Sequence, residues 1–285
     1  CSWFRSVKVA VWFNIKLCGS RHGAKLLDMA PNAVDDMYTG CHKEAMKNFI
    51  HSGLLERELN NSKGFQKAWK ANPKCSKPIP GGIKEHSAAL LAYANADEEF
   101  TQTLNNAVET MGVNVSTYEN HFHFKSLHFL LMDAFRLMKP KNCKTVYFVT
   151  EKEYKAEINS SVRFGRFSTG YFNDSSAKAM TDLDDLFVFN ITSCFFVNLE
   201  NTTCSMHKDM ALLSPAEMFI VEKAHRVKVG DTDTEYNEIV LRHSGVNIET
   251  SVDNCASQPA SGQDWDKSLH MAVTLSNKIN INTAH

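Results

Sequence analysis

The hydrophobic pattern of this chain changes its period near residue 140, and this change constrains the fold more than any other feature. In the first half, apolar residues recur at helical spacing over residues 43–72, 97–111 and 116–139. Ser116 and Glu119 predict a capping box at the start of the third helix, which Pro140 ends.

The second half of the chain has the composition of β-strands. Its segments rich in Val, Ile, Phe and Thr predict strands over residues 145–150, 161–172, 186–199, 210–221 and 238–242. Helices followed by strands are typical of an α+β fold. We therefore expect an N-terminal helical lobe packed on a sheet assembly.

The 285 residues are enough to bury a sizeable core within one domain. We place the folded unit at residues 27–256, with a mainly helical lobe over 27–140 and a β-rich core over 141–256. Residues 1–26 are interpreted as a leader or signal-peptide remnant, and residues 257–285 as a polar C-terminal tail.

Charge and hydropathy argue against a nucleic-acid partner and against a membrane-spanning segment. The 31 Lys and Arg residues against 32 Asp and Glu residues leave a formal net charge of −1. A nucleic-acid-binding protein needs many uncompensated cations, so no nucleic-acid partner is predicted. Lys8 and Lys16 interrupt the apolar run 7–17, so no membrane span is predicted either.

Cysteines and glycosylation sequons together predict a secreted protein or one on the extracellular cell surface. No two of the eight cysteines are close enough for a CxxC motif, which favours disulfides that close long loops in an oxidising compartment. Such a compartment also adds N-linked glycans. The sequon asparagines are Asn60, Asn114, Asn159, Asn173, Asn190 and Asn201. Asn190 lies in a predicted buried strand.

No metal site is predicted. His121, His123 and His128 are neighbours in sequence, but a zinc pair on a helix requires an i, i+4 spacing that they lack. They are interpreted as solvated or core-edge histidines. The phosphate-binding glycine motifs and the HExxH and GxSxG motifs are absent from the sequence.

Five segments, in order along the chain, carry a resemblance to a known family. They are Leu27–Cys41 (LDMAPNAVDDMYTGC), His121–Phe129 (HFHFKSLHF), Val162–Phe167 (VRFGRF), Ile191–Cys194 (ITSC) and Ala211–Phe219 (ALLSPAEMF). This pattern resembles the vertebrate ecto-ADP-ribosyltransferases that are specific for arginine. The resemblance implies a helical lobe on a β-sandwich NAD-binding core. It also implies transfer of ADP-ribose from NAD to arginine side chains of extracellular proteins, with release of nicotinamide and without a metal.

The resemblance also implies two disulfides, Cys41 with Cys255 and Cys143 with Cys194. Cys75 and Cys204 are candidates for a further bridge. Cys1 and Cys18 are left without an assigned partner.

The same resemblance places unusual residues at the family's catalytic positions. Phe148 stands where the family has an arginine that pairs with the NAD phosphates. Thr169 stands at the serine that opens the family's S-x-S turn. Lys208 and Met210 stand at the two glutamates, one that orients the acceptor guanidinium and one that stabilises the oxocarbenium-like transition state.

Some neighbouring residues are candidates to replace the family's missing catalytic and phosphate-binding groups. A one-residue slip of the turn would present Asp209 in place of the catalytic glutamate. Arg166 and Arg163 lie near the family's NAD cleft, and with Thr169 and Tyr93 they are the predicted NAD contacts. Glu217 resembles a family glutamate outside the catalytic turn and is interpreted as structural.

Two functions are therefore compatible with the sequence. An active transferase would turn Asp209 towards the NAD cleft. A catalytically inactive extracellular binding module would have Phe148 and Met210 filling or lining that cleft with apolar surface. A third, less specific reading is a disulfide-bonded extracellular domain that shares only the fold.

Overall fold

The computed structural model describes residues 23–71, 77–179, 183–203, 207–231 and 233–247. Helices occupy the first part of the described chain and strands the second, as the change of period predicts. The helices are α1 (His42–Ala45), α2 (Leu54–Asn61), α3 (Lys63–Lys70), α4 (Lys84–Ala94), α5 (Glu98–Thr110), α6 (Val115–His121), α7 (Lys125–Leu137) and α8 (Asp174–Lys178). Residues Met46–His51 between α1 and α2 form a π-helical segment.

Local capping explains where α5 begins and ends. The Asp97 carboxylate accepts the backbone N–H of Phe100, and two glutamates occupy the first turn, where a helix favours negative charge. At the other end, Met111 is the C-cap residue, and Gly112 follows it. The helix predicted over 97–111 is confirmed.

The single helix predicted over 116–139 is wrong, because the structure divides it into α6 and α7. Asn114, not Ser116, caps α6, and its side chain accepts the N–H of Thr117. Phe122 has an extended backbone (φ −81°, ψ 97°), and its side chain is fully buried. Burying this ring and that of Phe124 in the lobe core bends the chain between the two helices, so the core overrides the local helical pattern.

Helix α4 was not predicted from the sequence. Its residues from His86 to Tyr93, except for the partly buried Ala88, are all buried, so it lacks the polar face that gives a helix its amphipathic signal.

The strands form one main sheet and one small one. The strands are β1 (Lys25–Leu26), β2 (Lys144–Thr150), β3 (Tyr154–Lys155), β4 (Ser161–Val162), β5 (Ser168–Tyr171), β6 (Phe187–Ser193), β7 (Phe196–Asn198), β8 (Met210–Leu213), β9 (Glu217–Lys228) and β10 (Glu235–Val246). Strands β1 and β3 pair in parallel. The main sheet has the order β4-β9-β10-β6-β2-β5-β8-β7, in which β6 and β10 are parallel and the other pairs antiparallel.

The main sheet folds into a sandwich at the β2–β5 junction. Within the described residues, β2 and β5 share only the pair Tyr147–Tyr171, whereas β2 and β6 are paired along the whole of β2. One apolar cluster contains side chains from β2, β6, β9 and β10 together with side chains from β7 and β8, so the two parts of the sheet face each other.

The helical lobe covers the outer face of the β5–β8–β7 part. Its core cluster includes Phe167, Val197 and Leu212 from these strands or their flanks. The α+β fold with a helical lobe on a β-sandwich is confirmed.

The disulfide between Cys143 and Cys194 is confirmed. It joins the residue before β2 to the residue after β6. Cys41 is disulfide-bonded as well, and its predicted partner Cys255 lies outside the described residues. Cys1, Cys18, Cys75 and Cys204 also lie outside them.

Candidate functional site

Three adjacent strands carry the positions that the resemblance predicts for catalysis. Phe148 lies on β2, Thr169 on β5, and Met210 is the first residue of β8. The order β2-β5-β8 makes these strands neighbours at the edge where the sandwich divides. The structure therefore makes neighbours of strands whose residues are up to 62 positions apart in sequence, but the Phe148 ring lies on the side of the sheet opposite to Thr169 and Met210, so Phe148 and Met210 do not line one cleft together as expected.

Phe148 belongs to an aromatic cluster of the sandwich core. Its ring stacks on Phe189, with centroids 5.5 Å apart, and meets Phe164 edge-on at 6.3 Å. Phe189 is fully buried and is in turn met edge-on by Tyr154 at 5.1 Å. An apolar ring held in this way offers no charge to a phosphate.

The opposite side of the same strands presents a row of large side chains. Tyr147 pairs with Tyr171, and Tyr171 pairs with Met210, so the three residues stand side by side across β2, β5 and β8. All three are half-buried, and Met210 packs against the lobe core. Directly opposed residues share a face, so these three residues form a row without a carboxylate, and the next residue on this face, Asn190 of β6, donates to Glu238 at 3.4 Å. The sequence did not single out Tyr147, which only the strand register brings to the row.

Thr169 keeps a hydroxyl beside this row. It is half-buried and pairs with Leu212 of the lobe-facing side of β8. Ser168 precedes it and is buried, with its Oγ unpartnered within the described residues.

The turn before β8 directs its one carboxylate towards α8. Asp209 has a left-handed backbone (φ 60°), its carbonyl accepts the N–H of Phe172 at 2.8 Å, and its Oδ2 accepts the N–H of Asn173 at 3.0 Å. Lys208 beside it is exposed. His207 also lies in this turn, with Nδ1 enclosed and without a hydrogen-bond partner in the described chain, and no sequence pattern marked it.

The guanidinium of Arg163 is buried and fully engaged. Nη1 is paired with the Asp35 carboxylate, Nε donates to the carbonyl of Met29 at 2.9 Å, and Nη2 donates to that of Ala30 at 3.2 Å. These contacts tie the segment before α1 to the residue that follows β4. Arg163 and Asp35 also line a cavity of about 710 Å³ whose wall includes Tyr118.

Arg166 is committed to a second polar cluster. Its Nη2 donates to the hydroxyl of Tyr154 at 2.9 Å, and its Nε lies 3.4 Å from Glu109 Oε1. Glu109 also accepts from Lys25 Nζ at 2.9 Å. Burial raises the pKa of Tyr154, and the positive charge of Arg166 opposes that rise.

Tyr93 is a buried support for the strand that carries Thr169. Its hydroxyl donates to the carbonyl of Phe167 at 3.0 Å, and the side chain of Asn105 donates to the same carbonyl. Burial raises the pKa of Tyr93 to about 12, so the phenol stays protonated at neutral pH.

Glu217 is fully buried at the start of β9 and orders the chain around the disulfide. Its carboxylate accepts the hydroxyl of Ser193 and the N–H groups of Cys194 and Phe195, and it lies 2.8 Å from His243 Nδ1. These partners support the structural interpretation of Glu217.

The three histidines considered for metal binding do not converge. His121 and His123 are exposed beside a cavity of about 740 Å³, whereas His128 is fully buried. His128 Nε2 donates to the carbonyl of Val34, its Nδ1 accepts from the hydroxyl of Tyr38, and burial lowers its pKa to about 4. The expectation of a solvated or core-edge residue is wrong for His128, because the lobe core encloses it.

The described part of the chain contains neither a metal-binding cluster nor a membrane-spanning helix. Its His, Cys, Asp and Glu residues form no group of three that could hold a metal ion. Its helices include none with the length and hydropathy that crossing a membrane requires.

Comparison with known proteins gives one consistent family. A family model described as NAD:arginine ADP-ribosyltransferase matches residues 27–247. T-cell ecto-ADP-ribosyltransferase 1 of Mus musculus is 29% identical over 225 residues, which cover 76% of this chain and 73% of that protein. GPI-linked NAD(P)(+)--arginine ADP-ribosyltransferase 1 of Homo sapiens is 28% identical over 256 residues, which cover 82% of this chain and 77% of that protein.

A solved structure agrees with the sequence relatives. A variant of the eukaryotic mono-ADP-ribosyltransferase ART2.2 in complex with NAD superposes with a TM-score of 0.60 and 27% identity, over 76% of this chain and 93% of that one. The fold, the matched family model and the relatives agree, and the chain belongs to the NAD:arginine ADP-ribosyltransferase family.

Proposed function

We propose that this protein is an extracellular member of the family in which transfer of ADP-ribose to arginine is weak or absent. The observation that carries the proposal is the packing of Phe148, whose ring stacks on Phe189 and contacts Phe164 within the sandwich core. If Phe148 takes the place of the family arginine, no guanidinium meets the NAD phosphates there.

The turn before β8 supports the same proposal. Met210 is uncharged and packs towards the lobe core, so it supplies no anion for an oxocarbenium-like transition state. If Lys208 takes the place of the family's acceptor-orienting glutamate, it puts a cation where the cationic acceptor should dock, and like charges repel. Loss of one group that stabilises transition-state charge costs on the order of 10²–10³ in rate.

Rescue by Asp209 would require its carboxylate to give up a hydrogen bond that it already accepts. Its carboxylate accepts the Asn173 N–H at the start of α8, and its carbonyl extends the β5–β8 pairing through Phe172. Turning the carboxylate towards the row formed by Tyr147, Tyr171 and Met210 breaks the first of these bonds. The observed geometry therefore favours the inactive alternative over an active site rebuilt on Asp209.

The residues near the cleft fit NAD only in part. Thr169 retains a hydroxyl for the nicotinamide half, while Arg163 and Arg166 already bind protein acceptors. A diphosphate that displaced Asp35 from Arg163 would leave a partly buried carboxylate uncompensated. We expect NAD, the co-substrate of the family, to bind weakly here.

An extracellular location is supported by chemistry and by relatives. The Cys143–Cys194 disulfide suits an oxidising compartment, and the names of the relatives describe ecto and GPI-linked enzymes. If any transfer occurs, its acceptors are arginine side chains of extracellular proteins. If none occurs, the protein is a glycosylated binding module on the same fold.

Mass spectrometry of ADP-ribosyl-agmatine formed from NAD tests the proposal. The unmodified chain should give little or no product, and the variant Phe148→Arg, Lys208→Glu, Met210→Glu should give more. Thermal unfolding of both chains is the control for folding, and calorimetry measures the binding of NAD to each chain. Efficient transfer by the unmodified chain would overturn the proposal and would direct attention to Asp209.

A further inference from the structure

Exposed apolar side chains coincide with two of the sequons. Val113 and Val115, which flank Asn114, are 54% and 41% exposed, and Ile158, which precedes Asn159, is 54% exposed. Among the described residues, the other exposed large apolar side chains are Leu26 and Ile83. Most of the exposed large apolar side chains in the described chain thus adjoin a sequon asparagine.

We propose that Asn114 and Asn159 carry N-linked glycans whose first sugars cover these valine and isoleucine side chains. The inference rests on the extracellular location in the proposed function and is independent of transferase activity. It selects two positions from the six sequons.

Asn114 presents its amide nitrogen without giving up its structural role. Residues 113–116 are all exposed, so the whole sequon is accessible. The Asn114 Oδ1 caps α6 by accepting the N–H of Thr117 at 2.8 Å. An N-linked sugar uses only Nδ2, so glycosylation keeps this cap intact.

Asn159 occupies an exposed turn between β3 and β4. The N–H of Ser160 donates to the carbonyl of Glu157, which closes the turn, and the backbone N–H of Asn159 donates to Val221 at 2.8 Å. The Asn159 backbone is left-handed (φ 68°), a conformation that asparagine tolerates better than most residues. Its backbone is therefore held by hydrogen bonds while its side chain is exposed.

The modification is an ordinary substitution at a sugar carbon. The asparagine Nδ2 attacks C1 of the first sugar of a lipid-diphosphate-linked oligosaccharide from the secretory pathway. The C1–N bond forms, the C1–O bond to the diphosphate breaks, the lipid diphosphate leaves, and Nδ2 releases one proton. No redox change occurs.

The remaining sequons lack this combination of features. Asn190 is half-buried on β6, between β2 and β10, and its Nδ2 donates to Glu238 at 3.4 Å, so a glycan there would disrupt the sheet. Asn60 and Asn173 are exposed, but no exposed large apolar side chain adjoins either. Of Asn201, the structure describes the backbone and not the side chain.

Glycan mapping on the full chain tests the sites directly. The chain is secreted from human cells behind an added signal sequence, and its glycans are then removed enzymatically in heavy-oxygen water, which labels each formerly glycosylated asparagine. We expect label at Asn114 and Asn159 and none at Asn190. Lack of label at either of the first two, or label at Asn190, would overturn the assignment.

Matched variants separate the sequons from effects on folding. Ser116→Ala and Ser161→Ala should each remove one glycan while retaining the asparagine, and Ser116→Thr and Ser161→Thr should retain it. Because the added signal delivers the chain and no transfer is measured, failure here is distinguishable from failure of the proposed function.

The covering role has its own measurement. Ser116→Ala, which removes the glycan and keeps the Asn114 cap, should increase binding of an apolar fluorescent dye, and adding Val113→Ser and Val115→Ser should reverse that increase. Unchanged dye binding on loss of the glycan would show that the sugar does not cover the valines.

Discussion

Glu58 shows at the scale of one residue why the predicted long helix is divided. Its buried carboxylate accepts the backbone N–H groups of Lys125 and Ser126, the first residues of α7, at 2.8 and 3.0 Å. The Lys125 Nζ then donates to the carbonyls of Glu119 and Phe122 at the end of α6. The Glu58 carboxylate therefore caps the N-terminus of α7, and the Lys125 ammonium caps the C-terminus of α6.

The charge state of Glu58 should make the stability of the fold depend on pH. Burial raises its pKa from 4.5 to about 7, although the two N–H donors and Lys125 oppose that rise. The folded chain thus binds this proton more tightly than the unfolded chain does. The resulting stability is present below the unfolded pKa and is lost as pH rises through about 7, on the order of 3 kcal/mol in all.

Urea unfolding of Glu58→Gln against the unmodified chain checks this dependence. An amide offers only one oxygen to the two N–H groups, so the variant should lose about 1–3 kcal/mol. The difference between the chains should be largest near about pH 5 and smallest near about pH 8, since only the unmodified chain holds the proton. The control is Glu56→Gln, an exposed acid on the same helix. A constant difference across that range would contradict the prediction.

At the scale of elements, Gly170 decides how closely β2 and β5 meet. A Cβ at this position would lie 2.6 Å from Cγ1 of Val146 and 2.7 Å from the carbonyl oxygen of Tyr147. Among the neighbouring strands of the described main sheet, β2 and β5 share the fewest residue pairs, namely one. Because Gly170 has no side chain, β5 can approach β2 closely enough to pair with it at the point where the two halves of the sandwich separate.

Gly170→Ala should therefore lower stability by about 1–3 kcal/mol, because the methyl group forces the strands apart. Thermal unfolding would show this as a lower midpoint. Gly23→Ala is the matched control, because no atom lies within 4 Å of the added Cβ. Equal midpoints for Gly170→Ala and the unmodified chain would refute the close-approach argument.

At the scale of the whole molecule, the Cys143–Cys194 disulfide closes a large part of the β-core. The two cysteines are 51 residues apart, and the loop between them includes β2 through β6. Cross-linking a loop of this length lowers the entropy of the unfolded chain and thereby raises its free energy by about 4 kcal/mol at ordinary temperature.

The variant Cys143→Ser, Cys194→Ser should be less stable than the unmodified chain by a value approaching that figure. Urea unfolding under oxidising conditions measures the loss. In reductant the two chains should unfold at nearly the same urea concentration, and a difference that persists there would assign the loss to packing instead.

Much of the architecture was predictable from the sequence because its causes are local. Period 3.6 before residue 140 and strand-like segments after it predicted the α+β order, and Asp97 predicted the start of α5. Where causes are non-local the prediction failed: α4 is buried all round, and the break at Phe122 depends on the lobe core and on Glu58, 67 positions away from the N–H that it caps.

The candidate site was likewise predictable from the sequence only in part. By itself, the sequence carried the family resemblance, and through that resemblance it predicted the residues at the family's catalytic positions and the pairing of Cys143 with Cys194. Only the tertiary structure decided that Phe148 stacks on Phe189, that Asp209 is turned to Asn173, and that Arg163 is held by the segment before α1. A side chain's direction and partners follow from strand register and packing between distant segments, and these long-range contacts have no periodic signature along the chain.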